Sequence, residues 1–153
     1  MSIGSFVDFN TLDSQAQQLI HEGMQARSNA YSRYSHFKVG SALRCDDGSI
    51  QSGCNVESAS YPVTMCAERN ALCAAVARGK RSFRAISVVA EKIDGRLTTP
   101  CGMCRQMLSE FGDFVVYVAS PELDRVLVTS THELLPLGFR SDGFSNTLTN
   151  DRS

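Results

Sequence analysis

Two short stretches constrain this chain more than anything else in it: Cys66-Ala67-Glu68-Arg69 and Pro100-Cys101-Gly102-Met103-Cys104-Arg105. Together they supply three cysteines, one carboxylate and two arginines. Three thiolates fill three corners of a tetrahedral zinc and leave the fourth open, which is the coordination a catalytic zinc requires. A fold that uses these residues together must bring Cys66 and Cys101 to one point, although thirty-five positions separate them.

The patterning around the two stretches shows how that is done. Thr11 or Asp13 can cap a helix reaching about Ala30, with Leu12, Ala16, Leu19, Ile20, Gly23 and Met24 on one apolar face. From Phe37 to Cys45 the chain alternates, with Phe37, Val39, Ser41, Leu43 and Cys45 on one side, which predicts a strand. Asp46-Asp47-Gly48-Ser49 is turn chemistry, and Ile50 to Val56 can return as a hairpin partner. Gly40 and Gly53 inside these strands mark a bulge or a close backbone approach. Thr64 to Arg78 is Ala- and Leu-rich and predicts a buried helix ended by Gly79. Phe83 to Glu91 and Phe114 to Ala119 are nearly continuous apolar strands. Between them Pro100 opens a helix reaching about Phe111. Arg125 to Thr129 is a further strand and His132 to Leu135 a helical turn.

This order predicts an α/β fold: a three-layer α-β-α sandwich around a mixed five-stranded sheet. The whole chain, 1–153, is expected to form one domain, with 1–10 and 140–153 as flexible tails.

On this reading Cys66 sits two residues inside one helix, while Cys101 and Cys104 share the first turn of another. Helix N-termini lower thiol pKa values through exposed N–H groups and the macrodipole. Two such ends converging on one ion would ionise all three sulfurs, with Glu68 beside the metal. Three thiolates on a divalent ion leave it formally −1, which weakens it as a Lewis acid. Arg69 and Arg105, donating to the sulfurs, would withdraw that charge. Two other readings stay open. A structural zinc would need a fourth protein ligand, with His36 or another cysteine as the candidate. Alternatively, Cys101 and Cys104 could form a thioredoxin-like redox pair. Cys45, Cys54 and Cys73 read as inert core residues.

Composition narrows the partners. A net charge of −1 without a basic cluster argues against polynucleotide binding, which depends on many cation–phosphate contacts. No apolar run reaches the length of a membrane span, and Met1 to Asn10 lacks the features of a signal peptide. Six cysteines in such a chain point to a reducing, cytoplasmic setting.

C-x-E followed by P-C-x-x-C resembles the signature of zinc-dependent nucleoside and nucleobase deaminases. Four more stretches extend the likeness to the small homotetrameric cytidine deaminases: Phe37-Lys38-Val39-Gly40-Ser41-Ala42, the run from Gly53 to Pro62, Gln106, and Glu133 to Phe139. That resemblance implies one zinc per chain, held by Cys66, Cys101 and Cys104. It implies hydrolytic deamination of cytidine and deoxycytidine in pyrimidine salvage, with zinc lowering the pKa of its water from roughly 15.7 to about 7. Hydroxide so formed would attack C4 of the base while Glu68 shuttles protons. Asn55 and Glu57 would bind ribose, Phe37 would pack on the base, and Ala67 would also contact substrate. Ala59, Tyr61 and Phe139 would reach a neighbouring subunit's site in a homotetramer. Ser58 and Thr99 depart from the usual family residues, and neither is a metal ligand. A related deaminase acting on a cytosine-containing antibiotic such as blasticidin S should lack the Asn55–Glu57 pair. Polynucleotide deaminases usually carry His at the position of Cys66. A zinc-stabilised binding module would leave Glu68 without a role.

Overall fold

The computed structural model describes residues 3–140. Along it run β1 Ser5–Asp8, α1 Ser14–Ser28, β2 Val39–Cys45, β3 Ile50–Cys54, α2 Ala67–Ala77, β4 Phe83–Ala90, α3 Gly102–Ser109, β5 Val115–Ala119 and β6 Arg125–Ser130. All six strands join one sheet in the order β1-β6-β5-β4-β2-β3. Only β4 and β5 pair in parallel; every other neighbouring pair is antiparallel.

The three expected layers form, with one strand more than the five expected. The extra strand, β1, comes from the segment read as a loose tail. Ser5 pairs with Val128 and Asp8 with Arg125. Phe9 then turns into the core, its N–H bonded to the Asp124 carbonyl at 2.9 Å and its ring edge-on to His21. Four residues with one half-buried side chain carry no readable alternation, and their pairing partner lies near the other end of the chain. The expectation for 140–153 falls, apart from Arg140, outside the described residues.

Side chains divide strictly between the two faces. Leu43, Ile86, Val116 and Val118 pack under Ala71, Leu72 and Ala75 of α2 and Leu108 of α3. On the opposite face Ala42, Ala85 and Val89 meet Leu19 and Ile20 of α1. Leu19, Ile20 and Leu72 are fully buried, each contributing roughly 1.5–3 kcal/mol. Because helices cover both faces of β2 and β4, the alternation read in β2 is not one of core against solvent: Ala42 and Leu43 are both fully buried.

Two backbone approaches seat the helices. Both strand glycines mark close approaches, and the bulge lies elsewhere, at Arg44 and Cys45. A Cβ on Gly40 would collide with the Gly23 carbonyl and the Arg27 amide, and lie 2.7 Å from the Arg27 Cα. One on Gly53 would meet Ala71 and lie 2.6 Å from the Ala67 carbonyl of α2. Asp13 caps α1, accepting from the Ala16 N–H at 2.8 Å. Gly79, with φ +79, closes α2 while the Lys80 N–H returns to the Ala75 carbonyl at 3.0 Å.

Topology aims α2 and α3. The strands β3 and β4 are both antiparallel to β2, so they run the same way, and β5 is parallel to β4. Helix α2 leaves the carboxyl end of β3, and α3 leaves that of β4. Successive crossovers of one hand, moving the same way across a sheet, lie on one face. The two helices do pack on each other, and both begin at the same end of the sheet.

Gly40→Ala tests this seating. The added methyl meets backbone on both sides, so the urea midpoint should fall by the equivalent of about 2 kcal/mol or more. An unchanged midpoint would show that α1 does not rest on β2 as described.

Candidate active site

Both helices that face this end start with a cysteine. Cys66 and Cys101 are the N-caps of α2 and α3, in extended conformation, and neither side chain bonds back to its first-turn amides. A Ser or Asp at those positions would normally do so. Cys66 is thus one residue outside its helix, not two residues inside as the sequence reading had it. An antiparallel bridge between Val56 and Met65, with two backbone hydrogen bonds, holds Thr64–Cys66 extended and delays the helix start. Cys104 lies in the first turn of α3 and is buried. The Sγ atoms of Cys66, Cys101 and Cys104 lie within 4.8 Å of one another, with Cys66 and Cys101 at 3.9 Å. All six cysteines are free thiols.

This arrangement decides between the open readings. A redox pair of Cys101 and Cys104 has no use for a third sulfur 3.9 Å away. Neither His36 nor another cysteine joins the cluster, which among the described residues has three members. Three soft sulfur donors without a fourth protein ligand suit zinc with one open position.

The sulfurs do not ionise alike. Cys66 is pulled down to about 5, first by a hydrogen bond from Cys104 and then by Arg69 and Cys101. Cys104 is pushed up, because it donates to Cys66 and is itself buried. A divalent cation between them would remove this mutual repulsion and let all three ionise.

Glu68 is 4 % exposed, and burial raises its carboxyl to about 7, helped by the adjacent Cys66 charge. A cation at the sulfurs would act the other way and favour the carboxylate. Arg69 donates to Cys66 Sγ at 3.6 Å and to the Thr64 carbonyl at 3.3 Å, as expected for a residue offsetting thiolate charge. Arg105 does not act in that way. Its three nitrogens donate to the Pro100 carbonyl at 2.7 Å, the Leu134 carbonyl at 3.0 Å and Thr99 Oγ1 at 2.8 Å. With its donors so engaged, it clamps the loop before Cys101 rather than the sulfurs.

A cavity of about 280 Å³ opens beside the cluster, lined by Phe37, Asn55, Glu57, Cys66, Glu68 and Cys101 among others. Asn55 bridges the strand entrance: its Nδ2 donates to the Phe37 carbonyl at 2.8 Å, and its Oδ1 accepts from the Val39 N–H at 2.9 Å. Glu57 accepts from the Ser35 hydroxyl and from the N–H groups of Ser35 and Tyr34 at 3.1 and 2.9 Å. The Ser35 hydroxyl, foremost among these, holds its pKa below the ordinary carboxylate value. Ala67 is fully buried, which leaves its backbone as its polar offering. Ala59, Tyr61 and Phe139 are exposed and line no part of this cavity. Cys45 is buried as expected, Cys54 is half-buried, and Cys73, read as a core residue, is exposed. Sequence reasoning missed Ser35, Thr64, Met65 and Thr98, which also line the cavity. Ser35 lies in a stretch that reads as a break between elements, twenty-two positions from the carboxylate it holds.

An α-β-α sandwich with three cysteines able to hold a metal ion, and a buried carboxylate beside them, has the makings of a metal-dependent enzyme. Residues 13–120 match the model of the cytidine and deoxycytidylate deaminase zinc-binding region. The cytidine deaminase of Sporosarcina psychrophila is 44% identical over 131 residues, covering 84% of this chain and 94% of that protein. The crystal structure of cytidine deaminase from Burkholderia pseudomallei superposes with a TM-score of 0.76 at 45% identity, covering 84% of this chain and all of that one. A more distant relative, the blasticidin-S deaminase of Bacillus cereus, is 32% identical over 136 residues, 84% of this chain and 94% of that protein. The chain belongs to the cytidine and deoxycytidylate deaminase zinc-binding family.

Arg69→Gln removes the cation nearest the Cys66 sulfur. Zinc affinity, read by competition with a chromophoric chelator, should weaken by roughly 10–100-fold. Unchanged affinity would leave Arg69 without a part in holding the metal.

Proposed function

We propose that this chain hydrolyses cytidine and deoxycytidine to uridine and deoxyuridine, releasing ammonia. The observation that carries this reading is the position of Glu68, buried beside three converging sulfurs, in a cavity whose far wall holds Phe37, Asn55 and Glu57. Cys66, Cys101 and Cys104 would hold one zinc, which when bound makes water a competent nucleophile near neutral pH.

The chain's own groups do the rest. Glu68 takes one proton of the attacking water and delivers it to N3 of the base, then takes the proton left on the new C4 hydroxyl and delivers it to the departing amine. Its burial excludes bulk water from these transfers. Phe37 offers a flat apolar wall for the pyrimidine. Asn55 keeps one amide hydrogen and one lone pair beyond its two backbone bonds, and ionised Glu57 keeps acceptor capacity, so the pair suits sugar hydroxyls. The same pair disfavours an antibiotic substrate without a ribose.

We further read the working unit as a homotetramer. Met103, Met107, Leu137 and Phe139 are exposed apolar side chains, and Gln106 donates to the Phe139 carbonyl at 2.8 Å, tying that segment to α3. An apolar surface of this kind suits burial between subunits. Ala59, Tyr61 and Phe139 would then complete a neighbour's cavity. No helix among the described residues is long and apolar enough to cross a membrane. Six free thiols fit a reducing compartment, and the cytoplasm, with a role in pyrimidine salvage, is our assignment.

Glu68→Gln should retain one zinc per chain and lose about 10²–10⁴-fold in cytidine turnover, followed by loss of cytidine absorbance. Turnover near that of the wild type would remove Glu68 from the reaction. Turnover of blasticidin S without turnover of cytidine would replace the proposed substrate. Sedimentation with a parallel activity assay tests the assembly, since a fully active monomer would refute shared sites.

A further inference from the structure

Next to the loop that carries Cys101 lies a second cavity, of about 390 Å³, lined by none of the residues assigned to deamination above. It opens between the 92–99 segment and the start of β6, with Phe6, Leu97 and Leu127 as apolar walls. Its charged lining consists of Lys92, Arg96 and Arg125 against one carboxylate, Asp124. Asp124 is already paired: Lys92 Nζ lies 2.6 Å from it and 2.7 Å from Glu122. Arg96 and Arg125 have no ion-pair partner among the described residues. The Arg125 guanidinium carbon sits 5.1 Å from the Phe6 ring centroid, a cation–π contact that orients the fork.

Two guanidiniums without an ion-pair partner among the described residues, lining a cavity with apolar walls, call for a ligand with two parts. The forks match the paired oxygens of a phosphate, bound in bidentate fashion. The walls formed by Leu97, Leu127 and Phe6 call for a planar or apolar body behind it. Gly95 adds no side chain to obstruct entry, and a Cβ there would meet nothing within 4 Å. We propose that this cavity binds a small organic anion of the nucleoside monophosphate type, separately from the nucleoside being deaminated. Thr99 lines both cavities, and its hydroxyl is held by Arg105, so the second ligand lies one residue from the wall of the first.

Calorimetric titration of the zinc-loaded, full-length protein with uridine 5′-monophosphate tests this. The wild type should bind it, and Arg96→Gln/Arg125→Gln should bind it about tenfold or more weakly. That double variant should deaminate cytidine at the wild-type rate when no nucleotide is present. Glu57→Gln, altered only in the first cavity, should bind the nucleotide as the wild type does. Absence of binding by the wild type overturns the proposal. So does binding lost in Glu57→Gln but kept in the double arginine variant, which would place the nucleotide in the nucleoside cavity. Inorganic phosphate binding as tightly as the nucleotide would refute any part for the apolar walls.

Discussion

Two helix N-termini meeting at one end of the sheet are the arrangement on which everything else here depends. Neither helix could hold the cluster alone, since α3 brings Cys101 and Cys104 and α2 brings Cys66. Their meeting follows from strand direction. Because β3, β4 and β5 point the same way, the helices that follow β3 and β4 both start from one edge of the sheet. Ligands of open α/β sheets gather outside the carboxyl ends of the strands, and here the protein places its own sulfurs there. Cysteine at each N-cap then has a chemical logic. An oxygen cap would satisfy the first-turn amides, whereas a sulfur leaves their positive potential directed at the metal ligands.

That potential is needed because the cluster concentrates charge. Cys66 ionises readily, while Cys104 resists a second charge beside the first. The protein answers with one cation at contact distance, Arg69, and assigns Arg105 to mechanical work on the loop. The Nε of Arg69 is buried without a hydrogen-bond partner, so this guanidinium stays where its charge is useful although the position does not satisfy all its donors. Glu68 shares the field. Burial, with the Cys66 charge beside it, raises its carboxyl to about 7, and a bound cation would favour the carboxylate.

The chemistry of this centre was legible because it is local and residue-specific. Cys66, Glu68, Cys101 and Cys104 announce themselves by type and spacing, and the helices that carry them are periodic. The parts that were not legible are those set by distant partners. Strand β1 exists because Val126–Val128 accepts it, and Ser5–Asp8 alone has no pattern that says so. The start of α2 is decided by Val56, which pairs with Met65 and holds the chain extended past the point where composition alone favours helix. Arg105 was misread for a similar reason. Proximity in sequence to Cys104 suggested a sulfur contact, but Leu134, far along the chain, supplies a carbonyl that draws the side chain away. Ser35 was invisible because a hydroxyl in an irregular stretch carries no signal until its carboxylate partner is placed beside it.

Hydrogen bonds between distant residues also fix the cavity wall that carries Phe37, Asn55 and Glu57. Asn55 is tied to the backbone on both sides of Lys38, which sets the exit of the chain into β2 and with it the position of Phe37. Glu57 is held by three donors from Tyr34 and Ser35, and the His36 backbone that follows takes a left-handed φ of 58°. A non-glycine residue accepts that conformation only where surrounding contacts enforce it. Here the contacts are the carboxylate of Glu57 and the Ser32 carbonyl, which receives the His36 N–H at 2.8 Å. The loop is therefore strained toward the side chain it positions. The wall that carries Glu57 and the sulfur cluster are thus built by separate devices, a hydrogen-bonded loop and a pair of helix ends. They are joined through β2, whose strand start is fixed by Asn55 and which pairs with β3, where Gly53 lets α2 sit close. A side chain at Gly53 would press on Ala67 and Ala71 and so shift Cys66 and Glu68 relative to the loop that holds Glu57. That is a more damaging error than moving either wall of the cavity with its contents, since proton transfer depends on sub-ångström placement of the reacting groups.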